Sequence, residues 1–127
     1  MSIVISKYEN NVDKAWYDSS NVIYSECIDN ADDYKDLFIT FKDSRTYHYK
    51  GVTVQDYLLF REDVSQGKAL NKYITKKIGG KPVYEFERLE NKDLTILNEE
   101  KDKLLLEKEN LLVENNKSND NEEEKKE

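Results

Sequence analysis

The sequence predicts an α+β fold: a small antiparallel β-meander packed on two short helices, followed by a charged C-terminal helix. Three observations point to it. Apolar residues alternate with polar ones in three consecutive runs separated by short polar turns, which is the pattern of half-buried strands. After Gly51 the apolar spacing changes from two to three and four, the period of an amphipathic helix. From Leu94 onward leucines recur every seven residues in a strongly charged setting.

Residues 1–18 form an N-terminal arm. "SIVIS" is short enough for an edge strand, and Trp16–Tyr17 is an aromatic pair that packs on the domain rather than standing in solvent. In "SNVIYSECID", Val22, Tyr24 and Ile28 share one face and Ile23, Ser25 and Cys27 the other. "NADD" follows as a turn whose side chains bond their own backbone. "DLFITFKD" sets Leu37, Ile39 and Phe41 against Phe38, Thr40 and Lys42. "TYHYKGV" sets Tyr47 and Tyr49 against Thr46, His48 and Lys50. The second set is wholly polar, so the two tyrosines are expected to face the helices, with their hydroxyls at the rim of the core.

"VTVQDYLLFREDV" is the first helix. Thr53 is its N-cap, Asp56 closes a weaker form of the capping box, and Val54, Tyr57, Leu58 and Arg61 form the inward face. "KALNKYITKKI" is the second, with Leu70, Ile74 and Ile78 inward and "GGKP" as its stop. "VYEFERL" alternates again as a fourth strand or extended arm. These elements make a domain over residues 19–89. Residues 90–116 are a charged helix or short coiled coil, with Leu97, Leu104 and Leu111 at d and Leu94, Lys101, Lys108 and Asn115 at a. Residues 117–127 have no apolar group and read as a disordered acidic tail.

The net charge of −7 belongs to the tail. Residues 19–89 carry eleven basic and eleven acidic groups, whereas residues 90–127 carry seven and thirteen. The overall acidity therefore does not describe the partners of the central domain. The single cysteine, Cys27, allows no internal disulfide, and neither a membrane span nor a signal peptide is legible, so a cytoplasmic protein is expected.

Catalysis is not expected. Cys27 and His48 are the sole members of their kinds, read as a small buried or semi-exposed thiol and a solvated imidazole that both point away from the main core. "DNADD" lacks the glycine and distant glutamate of a calcium loop, and "IGGK" ends a helix instead of opening one. No metal or other cofactor is expected. Nucleic-acid binding has more support. Lys68, Lys72 and Lys76 sit four apart, opposite Leu70 and Ile74, and Lys77, Lys81 and Lys50 add to the basic set. The same stripe also fits an ordinary solvated helix face. A second class of partner, a protein helix or another copy of the chain, would use the leucine seam within residues 92–116.

The central segment resembles the KTSC domain family, small bacterial and phage domains also appended to some lysyl-tRNA synthetases. The likeness rests on "SSNV" (19–22), "LFITF" (37–41), "YHYKGV" (47–52) and "SQGKALNKYI" (65–74). The family's Tyr-x-Tyr falls on Tyr47 and Tyr49, and its Ser-x-Gly and following Asn fall on Ser65, Gly67 and Asn71. Leu70 stands where the family usually has an aromatic ring, and Thr53 where it usually has proline. The resemblance implies a compact meander against helices, a possible phage origin, and a binding role towards RNA or other nucleic acid.

Overall fold

The computed structural model describes residues 3–29 and 34–126, with only the backbone described for Tyr34 and residues 112–126. It has two compact units, Met1–Asp93 and Leu94–Glu127. The first is built on a six-stranded antiparallel sheet ordered β1-β2-β3-β4-β5-β8. Its strands are β1 (Ile3–Glu9), β2 (Val12–Tyr17), β3 (Val22–Ile28), β4 (Tyr34–Phe41), β5 (Thr46–Thr53) and, after the helices, β8 (Phe86–Leu89).

The segment expected to be an arm supplies the first two strands of the sheet, with β1 at its edge. Asn10 and Asn11 both adopt positive φ, 53° and 64°, which is the backbone of a two-residue hairpin turn with the twist that β1 and β2 require. Asparagine tolerates that region better than most residues.

Alternation holds on β4 over residues 37–41 and on β5 over residues 46–50, beside a register shift between Lys35 and Leu37, but fails on β3. A bulge between Val22 and Tyr24 shifts the register there. Val22, Ser25 and Cys27 therefore point to the helices, and Tyr24 turns to the opposite face beside Trp16, ring centroids 4.8 Å apart. The helix-side core gathers Tyr17, Val22, Leu37, Ile39, Tyr49, Val52, Tyr57, Phe60 and Ile74. Cys27 belongs to this core, not outside it, and burial pushes its thiol up to about 12. The second face also has buried residues, among them Ile5, Trp16 and Tyr24, and the paired hydroxyls of Thr40 and Thr46 at 3.1 Å.

Thr53 caps α1 (Val54–Glu62) by accepting from the Asp56 N–H at 3.2 Å. The capping box does not close. Asp56 instead accepts from the Tyr84 hydroxyl and from Lys76 Nζ at 2.7 Å, and the Thr53 N–H donates to the Tyr84 oxygen at 3.3 Å. The inward face of α1 is also rotated from the expected one. Tyr57 and Phe60 are buried, while Val54, Leu58 and Leu59 are exposed.

The second helix is shorter than expected. α2 (Gln66–Ala69) runs into a π-helical segment, Leu70–Ile74, and stops. The Thr75 N–H donates five residues back to the Leu70 carbonyl at 2.8 Å, and the Thr75 hydroxyl donates to the same oxygen at 3.3 Å. Beyond it Lys77–Ile78 (β6) and Lys81–Pro82 (β7) make a small ribbon. Gly79 and Gly80, at φ +60° and +80°, are its turn and not a helix cap. β8 then pairs with β5, setting Tyr47 opposite Arg88 and Tyr49 opposite Phe86.

The second unit is a single helix, α3 (Leu94–Lys126). It continues through residues 117–126, where the composition predicted disorder. No glycine or proline follows Pro82, and Glu122–Glu124, Lys125 and Lys126 all favour helix.

Candidate functional site

Alternation on β5 sends Tyr47 and Tyr49 to the helix side, as expected. The two are not equivalent. Tyr49 is buried at 5% exposure, and its hydroxyl is pushed up to about 12, chiefly by that burial. Tyr47 is only half-buried. It stands in a row of rings that the strand pairing assembles. Phe41 lies edge-on to it at 5.8 Å, and Phe86 from β8 lies edge-on at 6.3 Å. Phe86 is 53% exposed, so the row opens to solvent at the β8 edge. At the other end the Arg45 guanidinium covers the Phe41 ring at 5.2 Å. Arg88, exposed and opposite Tyr47, shares this face by strand register. The strip is aromatic in the middle and cationic at its flanks.

A pocket of about 430 Å³ adjoins the strip at Phe41 and Arg45. Leu70 and Phe41 supply its apolar surface, and Ser20, Asn21 and Asn71 its neutral polar groups. Lys42, Asp43 and Arg45 come from the β4–β5 turn. That turn is fixed to the β2–β3 connection, because the Lys42 N–H donates to the Asn21 carbonyl at 2.8 Å. Local burial works to raise the Asp43 carboxyl, but hydrogen bonds from Arg45, one at 2.7 Å, hold it below the usual carboxylate range. Gly67 has a definite role here. A Cβ at that position would lie 2.9 Å from Asn21 Nδ2, so any other residue there would push the Asn21 amide aside.

The expected stripe of Lys68, Lys72 and Lys76 and the added Lys77, Lys81 and Lys50 fall in four places. Lys68 and Lys72 are exposed on α2 and the π-helical segment, with Lys72 Nζ 5.3 Å from the Tyr73 ring centre. Lys76 is held by Asp56 and is partly buried, because the helix ends before it. Lys77 and Lys81 are exposed on the β6–β7 ribbon, and Lys50 is exposed on β5, 3.9 Å from Glu87. Of the leucine seam, Leu97 is buried, Leu104 half-buried and Leu111 60% exposed.

His48 is not a solvated imidazole. It stacks on Phe38 at 4.4 Å and meets Asp36 at 2.9 Å, on the sheet face opposite Cys27. The sheet separates the two, and a thiol pushed up to about 12 is a poor nucleophile. Among the described residues no group of three or more His, Cys, Asp or Glu side chains is placed to hold a metal ion. Asp32 and Asp33 of the acidic turn lie outside the described residues. Among the described residues, no helix is long and apolar enough to cross a membrane.

Sequence reading had no access to Phe86, Arg88, Asn21 or Arg45 as partners in one site. Phe86 meets Tyr49 across 37 positions of chain, and only the strand register reveals it. The motif "SSNV" contains Asn21, but not its close approach to Gly67.

Residues 27–77 match the sequence model of the KTSC domain, the family that the motifs resemble. The match runs from within β3 to the start of β6 and includes Tyr47, Tyr49, Gly67 and Asn71. No significant match was found among curated proteins. None was found among solved structures.

Proposed function

We propose that this chain is a non-enzymatic binding module of KTSC type that takes single-stranded nucleic acid, RNA or single-stranded DNA. The reading rests on the half-open row Phe41–Tyr47–Phe86 with Arg45 stacked on one end. Unpaired bases stack on such rings without regard to sequence, and guanidinium groups serve both as stacking planes and as phosphate partners. Lys68, Lys72, Lys77, Lys81 and Lys50 supply a diffuse positive surface on the same unit. Lys76 contributes less, because Asp56 already neutralises it. The balanced charge of residues 19–89 predicts modest affinity.

Fluorescence anisotropy with labelled single strands across a salt series tests this. Binding is expected to weaken linearly in a plot of log affinity against log salt. Each lysine that touches a phosphate contributes about 0.7 to that slope for single strands. Changing Lys68→Glu and Lys72→Glu together should lower the affinity and reduce the slope by about 1.4. An unchanged slope removes these two lysines from the interface, and no binding to any single strand at low salt overturns the function itself.

A second reading, association through α3, is favoured by Leu104 and Leu111 of the seam, one heptad apart on a charged helix, the first half-buried and the second 60% exposed. Apolar residues at that exposure suit a partner helix or a second copy. Sedimentation of the full chain and of its Leu104→Glu, Leu111→Glu variant decides it. The reading expects a concentration-dependent dimer that the variant loses; a monomer in both cases ends self-association.

A further inference from the structure

The pocket beside Phe41 has features that a non-specific strand binder does not need. Its volume, about 430 Å³, falls in the range of small-ligand sites. Two side-chain amides, Asn21 and Asn71, line it from opposite elements, the β2–β3 connection and the π-helical segment. An amide places a donor and an acceptor side by side, the pattern that reads the edge of a nucleobase. Asn71 Oδ1 lies 3.1 Å from the Thr75 hydroxyl, whose single proton it shares with the Leu70 carbonyl, and this contact orients the amide. Gly67 keeps the chain close to Asn21 Nδ2. The π-helical turn that carries Asn71 costs helix regularity, and such turns are frequent at functional sites. Phe41 and Arg45 belong to both the pocket and the aromatic row, so a strand on the row reaches the pocket directly.

We infer that this pocket is a base-reading subsite: it takes one unstacked nucleobase of the bound strand and recognises its hydrogen-bonding edge through Asn21 and Asn71. The inference rests on the single-strand reading above and adds specificity to it. Stacking and phosphate contacts set how tightly a strand is held, and the two amides set which base is preferred.

The test measures affinities of the full chain for ten-nucleotide strands of adenylate, cytidylate and uridylate, by anisotropy at fixed salt. The wild-type chain is expected to prefer one of the three by at least fivefold. Asn71→Ala and Asn21→Ala should bring all three within twofold of one another while leaving the salt slope unchanged. Gly67→Ala should act like Asn21→Ala, because the added methyl displaces the Asn21 amide. A readout that needs no variant follows the side-chain amide resonances of Asn21 and Asn71 by NMR as the preferred strand is added; both are expected to move. If the wild-type chain holds the three strands within twofold of one another, or keeps its preference in both asparagine variants, or if neither amide resonance moves, the pocket does not read bases. The strand-binding function survives each of those results. Failure to bind any of the strands removes the function and this inference together.

Discussion

Replacing Asp13 with alanine should destabilise the chain by about 3 kcal/mol, because one carboxylate on β2 ties α1 to the sheet twice. Asp13 Oδ2 accepts from the Tyr57 hydroxyl and from Arg61 Nε at 2.9 Å. Tyr57 is 5% exposed, so loss of its acceptor leaves a buried hydroxyl unpaired. Arg61 keeps Ser6 at 2.9 Å and its contact with Glu62, which limits the cost on that side. Tyr57→Phe removes a single donor and leaves Asp13 with Arg61, so it should cost only about 1 kcal/mol. For a domain of this size each kcal/mol moves Tm by about 4–8 °C, and thermal unfolding separates the two variants easily. In a double-mutant cycle the pair should be non-additive, since both single changes break the same bond. A Tm for Asp13→Ala within about 2 °C of wild type would mean that neither bond holds α1 in solution.

This tie matters for function because α1 leads, through Asp63 and Ser65, into the helix that carries Gly67 and Asn71. Asp63 Oδ1 accepts from the Ser65 N–H at 2.9 Å, and buried Gln66 donates back to the Asp63 carbonyl at 2.8 Å. The Asn71 wall of the pocket is thus positioned by a chain of bonds that begins on β2. A loosened α1 should disturb base preference before it disturbs stacking, since Tyr47 and Phe86 are positioned by the pairing of β5 with β8.

What the sequence made legible follows the reach of each interaction. On β4 and β5 alternation is local between residues 37–41 and 46–50, and no bulge interrupts it there, so Leu37, Ile39, Tyr47 and Tyr49 were placed on the correct face. On β3 a single bulged position reversed Tyr24 and Cys27, and nothing in "VIYSEC" announces a bulge. Asn10–Asn11 is a hairpin signal, but the polar residues Lys7, Glu9, Asp13 and Lys14 beside it blur the strands it joins. α1 was recognised by its cap and period, but Leu58 and Phe60 compete for the inward position, and the sheet chose Phe60. The lysine stripe failed for a similar reason. Periodicity continues past Ile74, whereas the backbone stops there, because the Asp56 carboxylate captures Lys76 and Gly79–Gly80 turns the chain into a ribbon. The site itself was least legible. Its pocket combines residues from two connections and from the helical segment after α1, and its aromatic row depends on β8 returning to β5 after the helices.

The row leads to the largest expected loss of binding. Phe86→Ala should weaken binding to single strands by about 5- to 150-fold, the equivalent of one stacked base at about 1–3 kcal/mol. Stability should barely move, because Phe86 is 53% exposed on an edge strand. The salt slope should also stay constant, since no phosphate contact is removed. Duplex of the same length offers no free base faces, so any weak binding to it should be indifferent to the change. The informative control is Tyr8→Ala. Tyr8 is 58% exposed on β1, at the opposite edge of the sheet from β8, and has no place in the row. If stacking is confined to Phe41, Tyr47 and Phe86, Tyr8→Ala binds like wild type. Equal losses from the two changes would mean that any exposed ring on this domain serves as well as another. The order that strand pairing imposes on the row would then have no bearing on how a strand is held.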